Sequence, residues 1–303
     1  KLVELIYKLF NMLIINNIIY KNLSNSLVGT ILLVGTYFFF SIMELTAKEL
    51  GENFNPFQIV FARYSSQLIL LLFLFNKNSF KHLKSEFPLI QVLRGALLLI
   101  TTCFMFTGLA NLPFAENIAI YMIGPVITTI LAWYILKEKI TILQIAIVLI
   151  GLAGAIIIAN PNQNEFNYAV IFPLMAALCF AFFTISTKFL NSSDSNQTTL
   201  LFTALTGTGL SLPFIYFFWN SPTFFDLFLM FSLGLLATIG HFLFMEALKV
   251  IKASFAAPFV YLTVLLAAFW GYILYQEIPN NNTIIGALLI ILAGLITIRL
   301  KNK

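Results

Sequence analysis

Apolar residues fill most of this chain in blocks of about 20, and short polar segments separate the blocks. A helix rises about 1.5 Å per residue, so a block of that length crosses a hydrocarbon core of about 30 Å. The blocks show no strict alternation of apolar and polar residues, which favours helices over barrel strands. The pattern predicts an all-α integral membrane protein with ten transmembrane helices, at residues 27–47, 56–75, 89–110, 115–136, 141–159, 168–190, 198–218, 225–247, 253–274 and 282–299.

A set of sequence landmarks recurs in the same order after about 140 residues. The landmarks are a helix end with a Thr and a Lys, a Tyr-Ile-Leu segment that ends in Glu, and a Leu-Ala-Gly run. They lie at 44–50, 134–138 and 152–154, and again at 184–190, 272–277 and 292–294. We therefore predict two domains of five helices, at residues 26–160 and 165–300. Five crossings are an odd number, so the second domain is expected to be an inverted repeat of the first.

Lysine and arginine are concentrated in every second connection between the predicted helices. They precede helix 1, follow helices 2, 4, 6 and 8, and end the chain, whereas the other connections contain only Lys48. The positive-inside rule then places both termini in the cytoplasm. Residues 1–25 mix apolar residues with Lys and Asn, which predicts an interfacial cytoplasmic segment. The net charge of +5 is spread over short loops, so we expect no nucleic-acid partner.

Several short motifs recur in the two halves. The first half contains Leu93-Arg94-Gly95-Ala96, 110–116, Gly124-Pro125, Leu136-Lys137-Glu138 and 151–154, and the second half contains Ala247-Leu248, 257–261, 276–279 and Ile285-Gly286-Ala287. In order and spacing they resemble the drug/metabolite transporter superfamily, in its ten-helix branch with two EamA-type repeats. The resemblance implies a substrate cavity lined mainly by helices 1, 3, 4, 6, 8 and 9. It also implies alternating-access transport of a small metabolite across a bacterial inner (plasma) membrane. The expected cargo is an amino acid, an amine, a nucleoside derivative such as S-adenosylmethionine, or a vitamin.

Two polar stripes favour such a cavity, because polar side chains facing lipid would be unfavourable. One stripe on helix 1 contains Tyr37, Ser41 and Glu44, and the other lies on helix 4. Helical spacing puts each stripe on one face. The candidate substrate-binding residues are Tyr37, Ser41, Glu44, Arg63, Glu116, Asn117, Tyr121, Pro125, Thr128, His241, Pro258 and Tyr261.

Two of these residues have alternative interpretations. Arg63 is predicted to pair with Glu44 or Glu116 in an outer vestibule and to rearrange during opening. A static buried ion pair, or a charge that snorkels to the interface, fits the same positions. His241 is either a proton relay, since its ordinary pKa lies in the working range, or a hydrogen-bonded packing residue.

Prolines and repeated glutamates have both functional and structural interpretations. Pro125 and Pro258 each leave one backbone carbonyl without its helical donor, which either serves the substrate or only kinks the helix. Glu138 and Glu277 are predicted to be structural, each accepting hydrogen bonds from backbone N–H groups at the next helix start.

Other classes of function lack their usual residues. The chain has only two histidines and two cysteines, and no P-loop pattern, so no metal or other cofactor is indicated. A membrane channel and a non-transporting membrane-embedded enzyme remain the alternatives. The partners expected are a small-molecule substrate and the lipid bilayer. We further expect coupling to a proton or a counter-substrate. A homodimer through helices 5 and 10, which the resemblance makes peripheral, is also expected.

Overall fold

The computed structural model of the chain describes residues 24–75, 83–112, 114–159, 168–275 and 281–299, and within these residues all regular structure is helical. The helices are α1 (Asn25–Gly51), α2 (Pro56–Phe75), α3 (Pro88–Asn111), α4 (Phe114–Tyr121), α5 (Gly124–Tyr134), α6 (Ile142–Ala159), α7 (Ile171–Leu190), α8 (Asn196–Phe218), α9 (Phe224–Val250), α10 (Ala253–Ala256), α11 (Leu262–Tyr275) and α12 (Asn281–Arg299). Two 3₁₀ turns, Tyr168–Val170 and Ala257–Tyr261, precede α7 and α11. Nearly all of the predicted interfacial segment 1–25 and the predicted cap Glu277 lie outside the described residues.

The all-helical membrane architecture agrees with the apolar blocks of the sequence. Among the described residues, seven helical segments are long and apolar enough to cross a membrane, and three shorter apolar helices accompany them. The predicted span 115–136 is two helices, α4 and α5, rather than one. The break has a local cause, because Pro125 has no N–H to donate to the carbonyl of Tyr121. Pro258 lies in the 3₁₀ turn between α10 and α11, where it has the same effect.

Helix packing is reciprocal between the two halves of the chain. α1 packs against α9, and its counterpart α7 packs against α3. In the same way α2 contacts α9 while α8 contacts α3, and α5 contacts α7 while α11 contacts α1. The pairs α2–α8 and α6–α12 each join a helix to its own counterpart. Exchanging the halves therefore leaves the principal contacts unchanged.

Hydrogen bonds group the connections between helices into two ends of the bundle. At one end, here called the α1–α2 end, Gln58 exchanges two hydrogen bonds with the backbone of Asn220, at 2.7 and 2.8 Å. At the other, the α2–α3 end, Asp194 accepts from Ser85, from the Glu86 amide and from Gln91. Among the described basic residues, Lys84 directly precedes Ser85 and Lys188 lies in the last turn of α7, shortly before Asp194.

Close approach between α2 and α9 depends on a glycine. A Cβ on Gly234 would lie 2.3 Å from Ser66 Oγ and 2.4 Å from the backbone nitrogen of Gln67. Ser66 also donates to the Met230 carbonyl across the same contact, at 3.1 Å. Small residues matter here because membrane helices associate through packing and interhelical hydrogen bonds rather than through hydrophobic exclusion from water.

The replacement Gly234→Ala is expected to destabilise the fold, because the new methyl group meets backbone atoms that cannot move alone. Overpacking of this kind costs about 1–3 kcal/mol. Thermal melting of the purified protein in detergent measures the effect. Gly209→Ala is the matched control, since a Cβ there has nothing within 4 Å. Equal melting temperatures for the two variants would contradict the packing described.

Candidate functional site

A cavity lies between the two halves of the chain, lined by residues of both. It is nearer the α1–α2 end, because its wall uses the second half of α1, the first half of α2 and the second half of α3. Most of the wall is aromatic or aliphatic, and three threonines, one histidine and two charged side chains interrupt it. The lining residues are Tyr37, Phe40, Met43, Glu44, Arg63, Leu98, Thr101, Thr102, Met105, Phe106, Ile118, Tyr121, Phe180, His241, Val260 and Thr263.

Glu44 presents a carboxylate to this cavity from the face of α1 that also carries Tyr37. The side chain is half-buried. Among the described residues, no side chain forms an ion pair with Glu44, and no group donates a hydrogen bond to it. A carboxylate in apolar surroundings without a partner is unfavourable, and a cationic ligand would supply the missing charge.

Arg63 lies on α2 and is only 2% exposed. Its guanidinium donates to Thr102 Oγ1 at 3.0 Å and to His241 Nε2 at 2.9 Å. The carbon of the guanidinium also lies 4.6 Å from the centre of the Tyr64 ring. The predicted pairing of Arg63 with Glu44 is wrong in this conformation, and the side chain of Glu116 lies outside the described part of the chain. Arg63 therefore reaches the cavity with its charge uncompensated by Glu44.

His241 orients Arg63. A guanidinium can only donate hydrogen bonds, so the Nε2 atom of His241 must accept and the imidazole is neutral with its proton on Nδ1. The ring is held between Phe40 and Phe183, at centroid distances of 4.8 and 5.7 Å. This arrangement favours a positioning role, because a second proton on the ring would place two cations in contact.

The structure brings together five of the predicted site residues, namely Tyr37, Glu44, Arg63, Tyr121 and His241. Others lie behind the wall. Ser41 accepts a hydrogen bond from Trp270 at 3.0 Å, and Tyr261 donates to the Val148 carbonyl of α6 at 2.9 Å. The remaining four are Asn117, Pro125, Thr128 and Pro258, all of them buried.

Several wall residues escaped the prediction from sequence. Thr102 is the main one, since it holds Arg63 while donating its own hydroxyl proton to the Leu98 carbonyl at 2.9 Å. A threonine in an apolar helix commonly donates its hydroxyl proton to the carbonyl four residues earlier. The sequence therefore does not reveal that the same hydroxyl oxygen also accepts from Arg63. The adjacent pair Thr101-Thr102 inside a long apolar run was the one available signal.

A model of the EamA-like transporter family matches residues 27–160 and, a second time, residues 167–299. Together the two matches cover both halves that surround the cavity. The chain belongs to the EamA-like transporter family. This family is part of the drug/metabolite transporter superfamily, which the repeated motifs had indicated.

Three relatives of this EamA-like protein are named for transport of small molecules. The S-adenosylmethionine uptake transporter of Rickettsia prowazekii is 30% identical over 266 residues, covering 87% of this chain and 90% of that protein. The riboflavin transporter of Vibrio cholerae is 28% identical over 60% of this chain and 61% of its own length. The pseudopaline exporter CntI of Pseudomonas aeruginosa is 23% identical over 90% and 97% of the two chains.

A solved crystal structure has the same fold, with a TM-score of 0.76 at 16% identity over 88% of this chain and 95% of its own. Together with the relatives, the family shows that the EamA-like protein is a membrane transporter of small metabolites. Since the family and its named members are transporters, the membrane-embedded enzyme loses its support as an alternative.

Glu138 joins the two halves of the EamA-like protein by hydrogen bonds at the α2–α3 end. Its carboxylate accepts from the backbone amides of Ala253 and Ser254 at 2.9 and 3.0 Å, and from the Ser254 hydroxyl at 2.5 Å. Glu138 therefore caps α10 in the other half, whereas the sequence predicted that it caps the next helix, α6. Lys188 donates to the Leu248 and Ile251 carbonyls at the preceding helix end. The turn between α9 and α10 is thus held from both sides.

The replacement Glu138→Gln is expected to loosen this turn, because the new amide group would point a donor at backbone N–H groups. Hydrogen bonds to charged groups contribute about 1.5–3 kcal/mol each, so a lower melting temperature should follow. Glu49→Gln, at an exposed position on α1, is the control for loss of one carboxylate. If both variants melt with the wild type, the capping role of Glu138 is contradicted.

Proposed function

We propose that this protein takes up S-adenosylmethionine, or a nucleoside derivative with the same charges, by alternating access. The observation that carries the proposal is the cavity, which presents Glu44 and Arg63 as separate, mutually unpaired charges inside an aromatic wall. The identity of 28–30% to several rickettsial proteins named as S-adenosylmethionine uptake transporters supports it.

The chemistry of S-adenosylmethionine matches this wall group by group. Its sulfonium and ammonium cations suit the Glu44 carboxylate, and its carboxylate suits the Arg63 guanidinium, which favours two parallel hydrogen bonds. Tyr37, Tyr121 and Phe180 offer ring faces for the adenine and for the sulfonium charge.

Alternating access further needs two states related by the repeat. The reciprocal helix contacts support ten crossings arranged as two inverted five-helix repeats, divided near residues 160–165. The basic connections support cytoplasmic termini in a bacterial inner membrane. With that orientation the cavity lies towards the outside and the Glu138 cap lies towards the cytoplasm, so the conformation is an outward-facing state.

Coupling and assembly are narrower parts of the proposal. Glu44 is the candidate proton carrier, because its carboxylate is the unpaired acidic group of the wall; exchange against a counter-substrate uses the same site without a proton. A homodimer through α6 and α12 stays a prediction, and within one chain these two helices pack against each other.

Replacing Glu44 with Gln is expected to raise the KM for radiolabelled S-adenosylmethionine in proteoliposomes at least about tenfold, which corresponds to about 1.4 kcal/mol. S-adenosylhomocysteine, the thioether without the sulfonium charge, should inhibit the wild type far more weakly than S-adenosylmethionine does. In Glu44→Gln this preference should shrink. The control is Glu52→Gln, an exposed glutamate just after α1.

Two results would count against these assignments. If the folded wild type takes up no S-adenosylmethionine under any gradient, the proposed cargo is wrong. If Glu44→Gln keeps both its KM and its preference for the sulfonium, Glu44 does not read the charge.

For His241, replacement by Gln should keep the pH profile of uptake unchanged between about pH 5.5 and 8, since the Gln oxygen can still accept from Arg63. His241→Leu removes the acceptor and should raise KM while leaving the profile alone. Initial uptake rates across this pH range give both quantities. A pH dependence that disappears in His241→Gln would instead support a proton relay.

A further inference from the structure

A second arginine, Arg94, is fully buried near the start of α3, towards the α2–α3 end of the bundle and away from the cavity. Its Nε donates to Thr187 Oγ1 at 2.7 Å and a terminal nitrogen donates to Thr203 Oγ1 at 2.5 Å. The guanidinium also lies over the Phe183 ring, 4.4 Å from its centre. Among the described residues, no carboxylate forms an ion pair or a hydrogen bond with Arg94.

A purely structural role in joining helices does not explain the positive charge of Arg94. Joining α3 to two threonines needs only hydrogen-bond donors, which an uncharged glutamine also has. A buried cation without an anion carries a desolvation penalty of several kcal/mol, and in membrane helices such residues usually serve a ligand or a transport path. Arg94 therefore has a charge that the present conformation does not use.

The repeat relation indicates which region of the first half corresponds to the surroundings of Arg94. Shifting by about 140 residues, the spacing of the landmarks, moves Glu44 of α1 onto Thr184 of α7 and Arg63 of α2 onto Thr203 of α8. Thr203 is one of the two partners of Arg94. The cavity wall of the first half thus has its counterpart around Arg94, at the opposite end of the bundle.

A chain of contacts joins the two regions. Arg63 bonds His241, the His241 ring packs on Phe183, and the Phe183 ring also contacts Arg94. Phe183 is fully buried and links the surroundings of the two arginines. A modest displacement of the Phe183 ring would connect the surroundings of Arg63 with those of Arg94.

We infer that Arg94 is the carboxylate-binding group of the inward-facing state, as Arg63 is of the outward-facing state. This inference rests on the proposed function. When the α2–α3 end opens, the substrate carboxylate displaces Thr187 and Thr203 from Arg94 and is released from there. In the present conformation the two hydroxyls occupy the guanidinium instead, which keeps the inner site closed and dry.

The test compares the two faces of the membrane. Uptake of labelled S-adenosylmethionine is measured in right-side-out and inside-out vesicles from one expression host. Arg94→Gln should raise KM at the cytoplasmic face at least about tenfold and leave KM at the outer face within about twofold. Arg63→Gln should show the opposite preference, and Arg94→Lys should recover part of the loss. Equal KM changes on both faces, or none, would overturn the inference.

A second measurement covers the case in which Arg94→Gln does not fold. Thr203→Cys is made in a background where Cys103 and Cys179 are replaced by Ala, and a membrane-impermeant maleimide is added to each face. We expect alkylation from the cytoplasmic face only, and absence of labelling there in a folded protein would overturn the inference. This readout needs no known cargo, so a wrong substrate and a wrong inner site are distinguishable.

Discussion

The interior of this bundle contains charges that do not neutralise one another. Glu44, Arg63 and Arg94 lie among apolar side chains, and no ion pair joins any two of them within the described residues. A Glu44–Arg63 pair would be the simplest way to lower the desolvation penalty, but it would also use up the groups that a ligand needs. Hydroxyls and a neutral imidazole hold the arginines instead, because such partners fix direction without cancelling charge. The remaining electrostatic cost is recovered when a substrate brings both signs.

The polar ties between the halves limit which helices can move. α8 is held at both ends: Asn220, which follows α8, bonds Gln58 of α2, and Asp194, which precedes α8, accepts from Ser85 and from Gln91 of α3. Of the helices that carry proline breaks, α11 is tied to α1 by the hydrogen bond from Trp270 to Ser41, at 3.0 Å. Each break also lies beside a residue of the cavity wall, Tyr121 in one and Val260 in the other. Because a proline break already lacks one backbone hydrogen bond, bending at these two places reshapes the cavity wall without breaking another.

Hydropathy predicted the fold well because length and apolar content are properties of each segment alone. The helices fall within a few residues of the predicted spans, and the break before α5 follows from Pro125. The cost of a charge in lipid likewise selected Glu44 and Arg63. The hydrogen-bond partners of these side chains could not be predicted in the same way. That Arg63 meets His241, and that Glu138 caps α10, depends on which helices become neighbours. Neither neighbour relation is encoded in the pattern of a single helix.

The relatives include proteins named for uptake and for export, so the scaffold by itself does not fix a direction. In a two-state carrier, each face binds with its own affinity, and a ligand shifts the protein only by the difference between them. Here the repeat places Thr184 where the other half has Glu44. An outward site with both signs and an inward site with Arg94 alone would bind a cationic zwitterion more tightly outside. That asymmetry would ease release at the inner face without changing the equilibrium gradient, and it follows from the difference between Glu44 and Thr184 at one repeat position.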